Sequence, residues 1–159
     1  MAPTPRNSSK TARKTLEDYL AEHRLRQTPE RFAILDKALK MPRHFSAAEL
    51  CRALADDTFI VSRATVYSTL NILVDSGVLQ RVIVDGRTTR YTIVAKNATS
   101  NIYLVCTECG KIKTVKDERF NAVMRAKRYS AFTLSHYSLN IYGTCNECAR
   151  KLHKRKLEH

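Results

Sequence analysis

Residues 62–94 read SRATVYSTLNILVDSGVLQRVIVDGRTTRYTIV and contain two different hydrophobic periods. From Ser62 to Gly77 the apolar residues recur at helical spacing. One face of this helix holds Val66, Leu70 and Leu73. After Gly77, apolar and polar residues alternate on both sides of an Asp85-Gly86 turn, which predicts a β-hairpin. A helix followed directly by a hairpin is the order of a winged helix-turn-helix, with the hairpin as the wing.

The segment before this stretch has a helical pattern throughout. Thr28, followed by a proline, is typical of a helix start. Ser46 and Glu49 form a capping box that begins the next helix. We therefore assign residues 15–94 to one winged-helix domain.

The polar face of the helix that begins at Ser62 is suited to a DNA groove. It carries small and hydrogen-bonding side chains, namely Ala64, Tyr67, Ser68 and Asn71. Arg63 and Thr65 lie in the first turn, where a helix N-terminus also favours a phosphate. A helix that enters the major groove needs such a face without bulky apolar groups. The alternative is a surface helix whose polar face is only solvated.

The net charge of +13 favours an anionic partner. Much of the excess lies at the two ends of the chain, in Arg6, Lys10, Arg13, Lys14, Arg150, Lys151, Lys154, Arg155 and Lys156. These ends are interpreted either as basic arms that follow a nucleic-acid backbone or as solubilising segments. Residues 1–14, rich in Pro, Ser, Thr, Lys and Arg, are expected to form a flexible basic tail.

Membrane and secretory classes are not favoured by the sequence. No run of about 18 apolar residues is present, and the first residues lack the apolar region of a secretory signal. We therefore expect a cytoplasmic protein without a membrane partner. Residues 157–159 resemble the remnant of a cloning tag.

Four of the five cysteines form two pairs of identical spacing, Cys106-x-x-Cys109 and Cys145-x-x-Cys148. Each such pair supplies two thiolates from one tight turn, and zinc takes four thiolates tetrahedrally. The pattern predicts one structural zinc, with redox dithiols or free thiols as the alternatives. Four thiolates leave no open position for catalysis, and loss of the metal is expected to unfold so small a domain.

The remaining cysteine, Cys51, is predicted to be a buried apolar thiol. An axial haem ligand or a redox sensor is the alternative, although no low-pKa setting or Cys-Pro sequence supports either.

The second half of the chain has an α/β pattern around the cysteine pairs. Strands are predicted at 102–106, 111–115 and 132–142, with a helix at 117–129 and a basic helix at 147–156. We assign 101–156 to this domain and 95–100 to a linker. The predicted fold class is therefore α+β, a winged helix-turn-helix domain followed by a small α/β domain with a four-cysteine zinc site.

Several motifs, in this order, resemble the ferric uptake regulator (Fur) superfamily of metal and peroxide sensors. They run from about Leu25 to about Cys148 and include RQTPER at 26–31, HFSAAEL at 44–50, SRATVY at 62–67, CTECGK at 106–111 and HYSLNIYGTC at 136–145. The resemblance implies a homodimer joined through the second domain, winged domains on a double-stranded operator, and repression of iron, haem or other metal-homeostasis genes. With the pattern of the helix and wing, it gives as DNA-contacting candidates Lys14, Arg26, Ser62, Arg63, Thr65, Tyr67, Ser68, Asn71 and Arg87.

The regulatory metal ligands that the resemblance implies are mostly replaced. Ser100-Asn101-Ile102-Tyr103 stands where the family has a His-His-Asp-His cluster, and acidic ligands are replaced by Thr92, Thr114 and Asn121. Ser68 also stands where a basic residue is common in the family.

Two implied ligands remain, His44 and His136. Two histidines alone do not make an Fe, Mn or Zn sensory site. They are interpreted as inherited surface or hydrogen-bonding histidines, and the alternative is a reduced site completed by Tyr103, Asn101 or Asp117.

The sequence thus predicts a non-enzymatic, dimeric, zinc-containing DNA-binding regulator, an atypical member with a degenerate regulatory site. Its DNA binding is expected not to need a regulatory divalent metal, or to respond to another effector such as haem. A zinc-stapled interaction module that does not bind DNA is one rival. A zinc enzyme acting on nucleic acid is another, disfavoured by the closed thiolate shell and by the lack of His-x-Glu before the first cysteine pair.

Overall fold

The computed structural model describes residues 5–55, 61–84, 88–94, 100–133 and 137–157. The helices are α1 Pro5–Glu22, α2 Pro29–Ala38, α3 Ala47–Ala55, α4 Arg63–Asp75, α5 Glu118–Ala126 and α6 Asn146–Leu157. The strands are β1 His44–Phe45, β2 Leu79–Val84, β3 Thr88–Ile93, β4 Ser100–Cys106, β5 Ile112–Val115 and β6 Tyr137–Gly143. Within these ranges, no helix combines the length and apolarity that crossing a bilayer requires.

The chain divides into two compact units, Met1–Val82 with Thr89–Lys96, and Ile83–Thr88 with Asn97–His159. The second unit takes in the hairpin segment from Ile83, whereas we expected the whole hairpin in the first domain. Within that unit the Tyr142 hydroxyl donates a hydrogen bond to the Ile83 carbonyl at 2.9 Å. The expected linker falls mostly on residues 95–99, which lie outside the described residues.

The first unit packs its helices and a three-stranded sheet around one apolar core. The fully buried side chains include Leu16, Leu20, Ile34, Leu35, Phe45, Leu50, Val66, Leu70 and Leu73. The sheet order is β1-β3-β2, and β1 pairs antiparallel with β3 through His44–Thr92 and Phe45–Tyr91. The sequence did not predict β1, because two residues are too few to show a period. The α+β class is confirmed.

α1 begins at Pro5 and therefore extends into the segment where we expected a flexible tail. Proline is well suited to the first helical position, and the lysines, arginines and alanine that follow are good helix formers. The segment is also held from outside, because Ala12 packs against the core and Arg13 lies 3.7 Å from Asp36 and above the Phe32 ring. Composition alone did not reveal these contacts.

The helix starts follow the local signals in three different ways. At α3, Ser46 and Glu49 form the predicted reciprocal box, with the Ser46 N–H 2.6 Å from Glu49 Oε2 and the Glu49 N–H 3.2 Å from Ser46 Oγ. At α4, Ser62 Oγ accepts the Thr65 N–H at 3.1 Å. At α2, Thr28 precedes Pro29 in an extended conformation but makes no side-chain cap bond.

The second unit is built on a sheet of order β5-β4-β6, in which β4 pairs antiparallel with β5 and parallel with β6. Its buried side chains include four on the central strand, Ile102, Tyr103, Val105 and Cys106. α5 is shorter than the predicted helix at 117–129, because the chain leaves the helix in an extended conformation at Lys127. Beyond it, Tyr129 forms an isolated bridge with Phe132, so the strand predicted from 132 begins in the described residues only at Tyr137.

Candidate nucleic-acid interface and metal centre

The outward face of α4 is solvent-exposed along its length. Val66, Leu70 and Leu73 hold the opposite face in the core, which fixes the rotation of the helix about its axis. Tyr67 is 51% exposed, and Arg63, Ala64, Ser68 and Asn71 are exposed with it. A tyrosine ring left in water on a helix of otherwise small and polar residues is available for a partner surface.

Three of the DNA-contacting candidates on α4 have local structural roles. Ser62 Oγ caps the helix and lies 2.8 Å from Thr65 Oγ1. The Ser68 hydroxyl donates to the Thr65 carbonyl at 3.0 Å. These hydroxyls stabilise the first turn of the helix. Arg63, Tyr67 and Asn71 are the exposed candidates on α4 that take no part in these hydrogen bonds.

Asn71 is joined to a residue that sequence reasoning missed. Arg81 of β2 donates from Nη2 to Asn71 Oδ1 at 2.5 Å, and both side chains are exposed. The signal for Arg81 was present in the alternation of the strand, because Val82 and Val84 are buried and the residues that alternate with them, Arg81 and Ile83, must point outward. The missing information was that the first strand of the wing lies beside α4.

The other DNA-contacting candidates lie elsewhere in the first unit. Lys14 is exposed on α1, and Arg26 is exposed in the segment that joins α1 to α2. The Arg26 carbonyl accepts a hydrogen bond from Arg31 Nη1, which orders that segment. Arg87, at the tip of the wing, is outside the described residues.

The four paired cysteines converge at one end of the second sheet. Cys106 and Cys109 belong to the turn between β4 and β5, and Cys145 and Cys148 lie at the start of α6. All four Sγ atoms lie within 4.8 Å of one another, and those of Cys109 and Cys145 are 3.9 Å apart. Gly110 has φ +70°, so the chain folds back around the cluster in a backbone conformation that favours glycine.

This cluster fits a zinc ion. Zinc–sulfur bonds of about 2.3 Å in a tetrahedron place the sulfurs about 3.8 Å apart, close to the observed spacing. The Cys145 N–H donates to Cys106 Sγ at 3.3 Å, which stabilises negative charge on that sulfur. Four thiolates would hold the ion as a closed structural site.

Backbone hydrogen bonds polarise the thiols unequally. The N–H groups of Cys145 and Cys109 lower the pKa of Cys106 to about 6. Hydrogen bonding with Cys109 and Cys145 raises the pKa of Cys148 to about 12. The first thiolate thus forms easily, and its negative charge disfavours ionisation of the next thiol. A divalent cation removes this repulsion by binding all four sulfurs as thiolates.

The positions that the family resemblance assigns to regulatory ligands are occupied by neutral groups. Thr92 and Tyr103 are 2% exposed, and Tyr103 stands in register with Thr114 on one side and Asn140 on the other. Asn121 Oδ1 accepts the Tyr137 hydroxyl at 2.5 Å. Neutral side chains therefore stand at these positions, and Asn121 uses its oxygen in a hydrogen bond with Tyr137.

The remaining ligand candidates are not brought together by the described structure. His44 lies half-buried on β1 opposite Thr92, and burial, then the positive charges of Arg43 and Arg90, lower its pKa. Asp117 caps α5 by accepting the Phe120 N–H at 2.9 Å. His136 and the side chain of Asn101 lie outside the described residues.

Cys51, predicted to be a buried thiol, is half-buried and packs against the core of the first unit.

Most of the sequence matches a known family. The model of the ferric uptake regulator family matches residues 22–142 of this chain. The chain belongs to this family. The resemblance inferred from the motifs is thus confirmed over most of the sequence.

Curated and solved relatives give the same result. The peroxide-responsive repressor PerR of Staphylococcus aureus is 31% identical over 140 residues, covering 86% of this chain and 93% of PerR. The Vibrio cholerae ferric uptake regulator is 30% identical, with a TM-score of 0.56 over 79% of this chain and 96% of that one. The Pseudomonas aeruginosa regulator, solved with manganese, shares the fold with a TM-score of 0.67 at 24% identity, covering 82% and 97% of the two chains.

Proposed function

We propose that this member of the ferric uptake regulator family is a transcriptional repressor that binds a double-stranded operator as a homodimer. The observation that carries the proposal is the exposed outward face of α4, with Tyr67 at its centre and strands of the predicted wing following it. Membership of a family that includes the PerR repressor supports repression rather than activation.

Selection from a random duplex library by the full-length protein tests DNA binding. We expect one enriched, approximately palindromic sequence, with an affinity that falls steeply as salt rises. Tyr67→Ala is expected to lower the affinity for that duplex by roughly 10-fold or more without unfolding the protein. Tyr19→Ala, which removes a tyrosine from α1, is the matched control. If no sequence is enriched, the protein is an interaction module rather than an operator-binding regulator.

A second copy of the chain is proposed to cover the exposed apolar side chains of the second unit. α5 has no buried residue, Val123 is 63% exposed, and Phe132 is 67% exposed. Large apolar side chains with this much exposure are typical of residues that a partner subunit covers. We expect a dimer by sedimentation, dissociated by Val123→Glu and unaffected by Lys116→Glu. A monomeric wild type would contradict the proposal.

We further propose that the four cysteines hold one structural zinc per protomer and that DNA binding needs no regulatory divalent cation. Within the described residues, the cysteines are the only group of three or more potential His, Cys, Asp or Glu ligands close enough to share an ion. The neutral groups at Thr92, Tyr103 and Asn121 also support the second part.

Elemental analysis by mass spectrometry tests both parts. The purified protein is equilibrated with Fe(II), Mn(II) or Zn(II) under reducing, oxygen-free conditions, and one zinc per protomer is expected. A second retained metal that is abolished by His44→Ala or His136→Ala would restore divalent-metal sensing, as in the metal-binding relatives. A haem titration followed by absorbance tests the alternative effector, and binding lost in Cys51→Ser would place the haem at that thiol.

A further inference from the structure

We propose that Asn71 of α4 and Arg81 of β2 form one composite DNA-contacting surface, in which Arg81 holds the Asn71 amide with its oxygen toward the guanidinium and its N–H donors toward the DNA. This inference rests on the proposed function, because it takes α4 as the helix that meets the bases. It adds a specificity-determining pair in which Arg81 is both a phosphate contact and a positioning residue.

The geometry sets the orientation of the amide. Arg81 Nη2 lies 2.5 Å from Asn71 Oδ1. A guanidinium has donors and no acceptor, so the atom of the amide that faces it must be the oxygen. The two N–H donors on Nδ2 then remain for a partner. Asn71 follows Tyr67 by one helical turn, so the two side chains occupy neighbouring positions on the same outward face.

This orientation changes what Asn71 recognises. A free asparagine reads adenine with its oxygen and its nitrogen together, accepting from N6 and donating to N7. Oδ1 keeps a second lone pair, but the Arg81 guanidinium beside it holds the oxygen away from the position that the bidentate contact requires, so that contact is disfavoured. N–H donors that point to the DNA match edges that present acceptors, which in the major groove are O6 and N7 of guanine and O4 of thymine.

Arg81 keeps its charge and most of its donors for the DNA. Among the described residues it forms no ion pair with a carboxylate, and its side chain is exposed, so its remaining N–H groups are accessible. A guanidinium in this state binds a phosphate oxygen well. We therefore place Arg81 on the backbone beside the base that Asn71 contacts.

The experiment uses the full-length dimer and the random duplex selection, repeated with each variant. Arg81→Ala is expected to lower affinity for the wild-type duplex by about 3- to 10-fold and to reduce the slope of log K against log salt by about 1. The duplexes selected by Arg81→Ala should also include adenine at one base position. That position should be the one at which Asn71→Ala loses its base preference. Lys40→Ala, an exposed charge at the end of α2, should change neither base preference nor the position of that preference.

Asn71→Asp tests the donor role directly. The aspartate still accepts from Arg81 but has no N–H groups, so binding should fall at least as far as in Asn71→Ala. Thermal unfolding of each variant establishes that these exposed substitutions leave the fold intact.

Three results would overturn the proposal. Unchanged base preference and salt slope in Arg81→Ala would mean that the hydrogen bond only joins β2 to α4 and has no role in DNA binding. Wild-type affinity in Asn71→Asp would remove the need for donors. A wild-type protein that enriches no duplex would overturn the proposed function together with this inference, whereas the first two results leave the proposed function standing.

Discussion

Arg90 Nη1 lies 2.8 Å from Glu49 Oε2, so an ion pair between residues 41 positions apart joins β3 to the first turn of α3. The same Glu49 oxygen accepts the Ser46 N–H at 2.6 Å and the Ser46 hydroxyl at 2.9 Å. One carboxylate therefore completes the capping box and holds the wing strand against the helices. The stability of the α3 N-terminus and the position of β3 are thereby linked.

We expect Glu49→Ala to lower the free energy of unfolding by about 1 to 2 kcal/mol, because it removes the capping box as well as the ion pair. Arg90→Leu should cost less than about 1 kcal/mol, since both partners are about a third exposed and water screens the pair. Urea denaturation of the two variants and the wild type measures both values. An equal loss in the two variants would mean that the ion pair, not the cap, dominates.

The Glu49 carboxylate should also make stability depend on pH. The Ser46 N–H, with the Ser46 hydroxyl and Arg90, lowers its pKa from 4.5 against the opposing effect of burial. A carboxyl with a depressed folded-state pKa stabilises the protein above its unfolded pKa, and that stabilisation is lost as pH falls through the folded value.

Urea denaturation of wild type and Glu49→Gln over a range of pH checks this dependence. The difference in unfolding free energy should be largest above pH 4.5 and should shrink as the pH falls below it. A difference that stays constant between pH 7 and pH 3 would contradict the role of the charge.

The buried hydroxyl of Thr69 is expected to lower the stability of the first unit. Thr69 is fully buried on α4, and its Oγ1 has no hydrogen-bond partner within the described residues. The Thr65 carbonyl, one turn earlier, accepts from Ser68 instead. Thr69→Val keeps the shape and removes the hydroxyl, so it should stabilise the protein by about 1 kcal/mol.

Thr69→Ser is the matched variant, which keeps the hydroxyl and removes the buried methyl. It should destabilise by roughly 1 kcal/mol, measured in the same thermal or urea unfolding experiment. If valine were the less stable of the two, the hydroxyl would have a partner that stabilises it.

Zinc removal should act on the second unit. Cys109→Ser, or a strong chelator, is expected to release the zinc and abolish the hydrogen-exchange protection of β4, β5 and β6, because the metal joins the β4–β5 turn to the start of α6. Cys51→Ser, which lies outside the cluster, should keep both zinc and protection. Full protection of these strands in zinc-free protein would contradict a structural role.

Local signals in the sequence determined the helix starts, the order of helix and wing, and the four-cysteine cluster. Each signal lies within a few residues of the sequence. These signals are the Ser46–Glu49 capping box, the Ser62 cap, the change of hydrophobic period after Gly77, and the two cysteine pairs of identical spacing. The family resemblance also came from short motifs and is confirmed by the family match over residues 22–142, whereas the replacement of regulatory ligands stays a prediction.

Tertiary structure alone decided how distant side chains combine. The β1–β3 pairing, the Arg90–Glu49 ion pair and the hydrogen bond from Arg81 to Asn71 each join segments that no hydrophobic period relates. The early start of α1 has the same cause, since Arg13 and Ala12 are held by α2 and the core rather than by their neighbours. A period reports which face of an element is buried, but only packing determines which charged or polar groups on the exposed faces come within hydrogen-bonding distance.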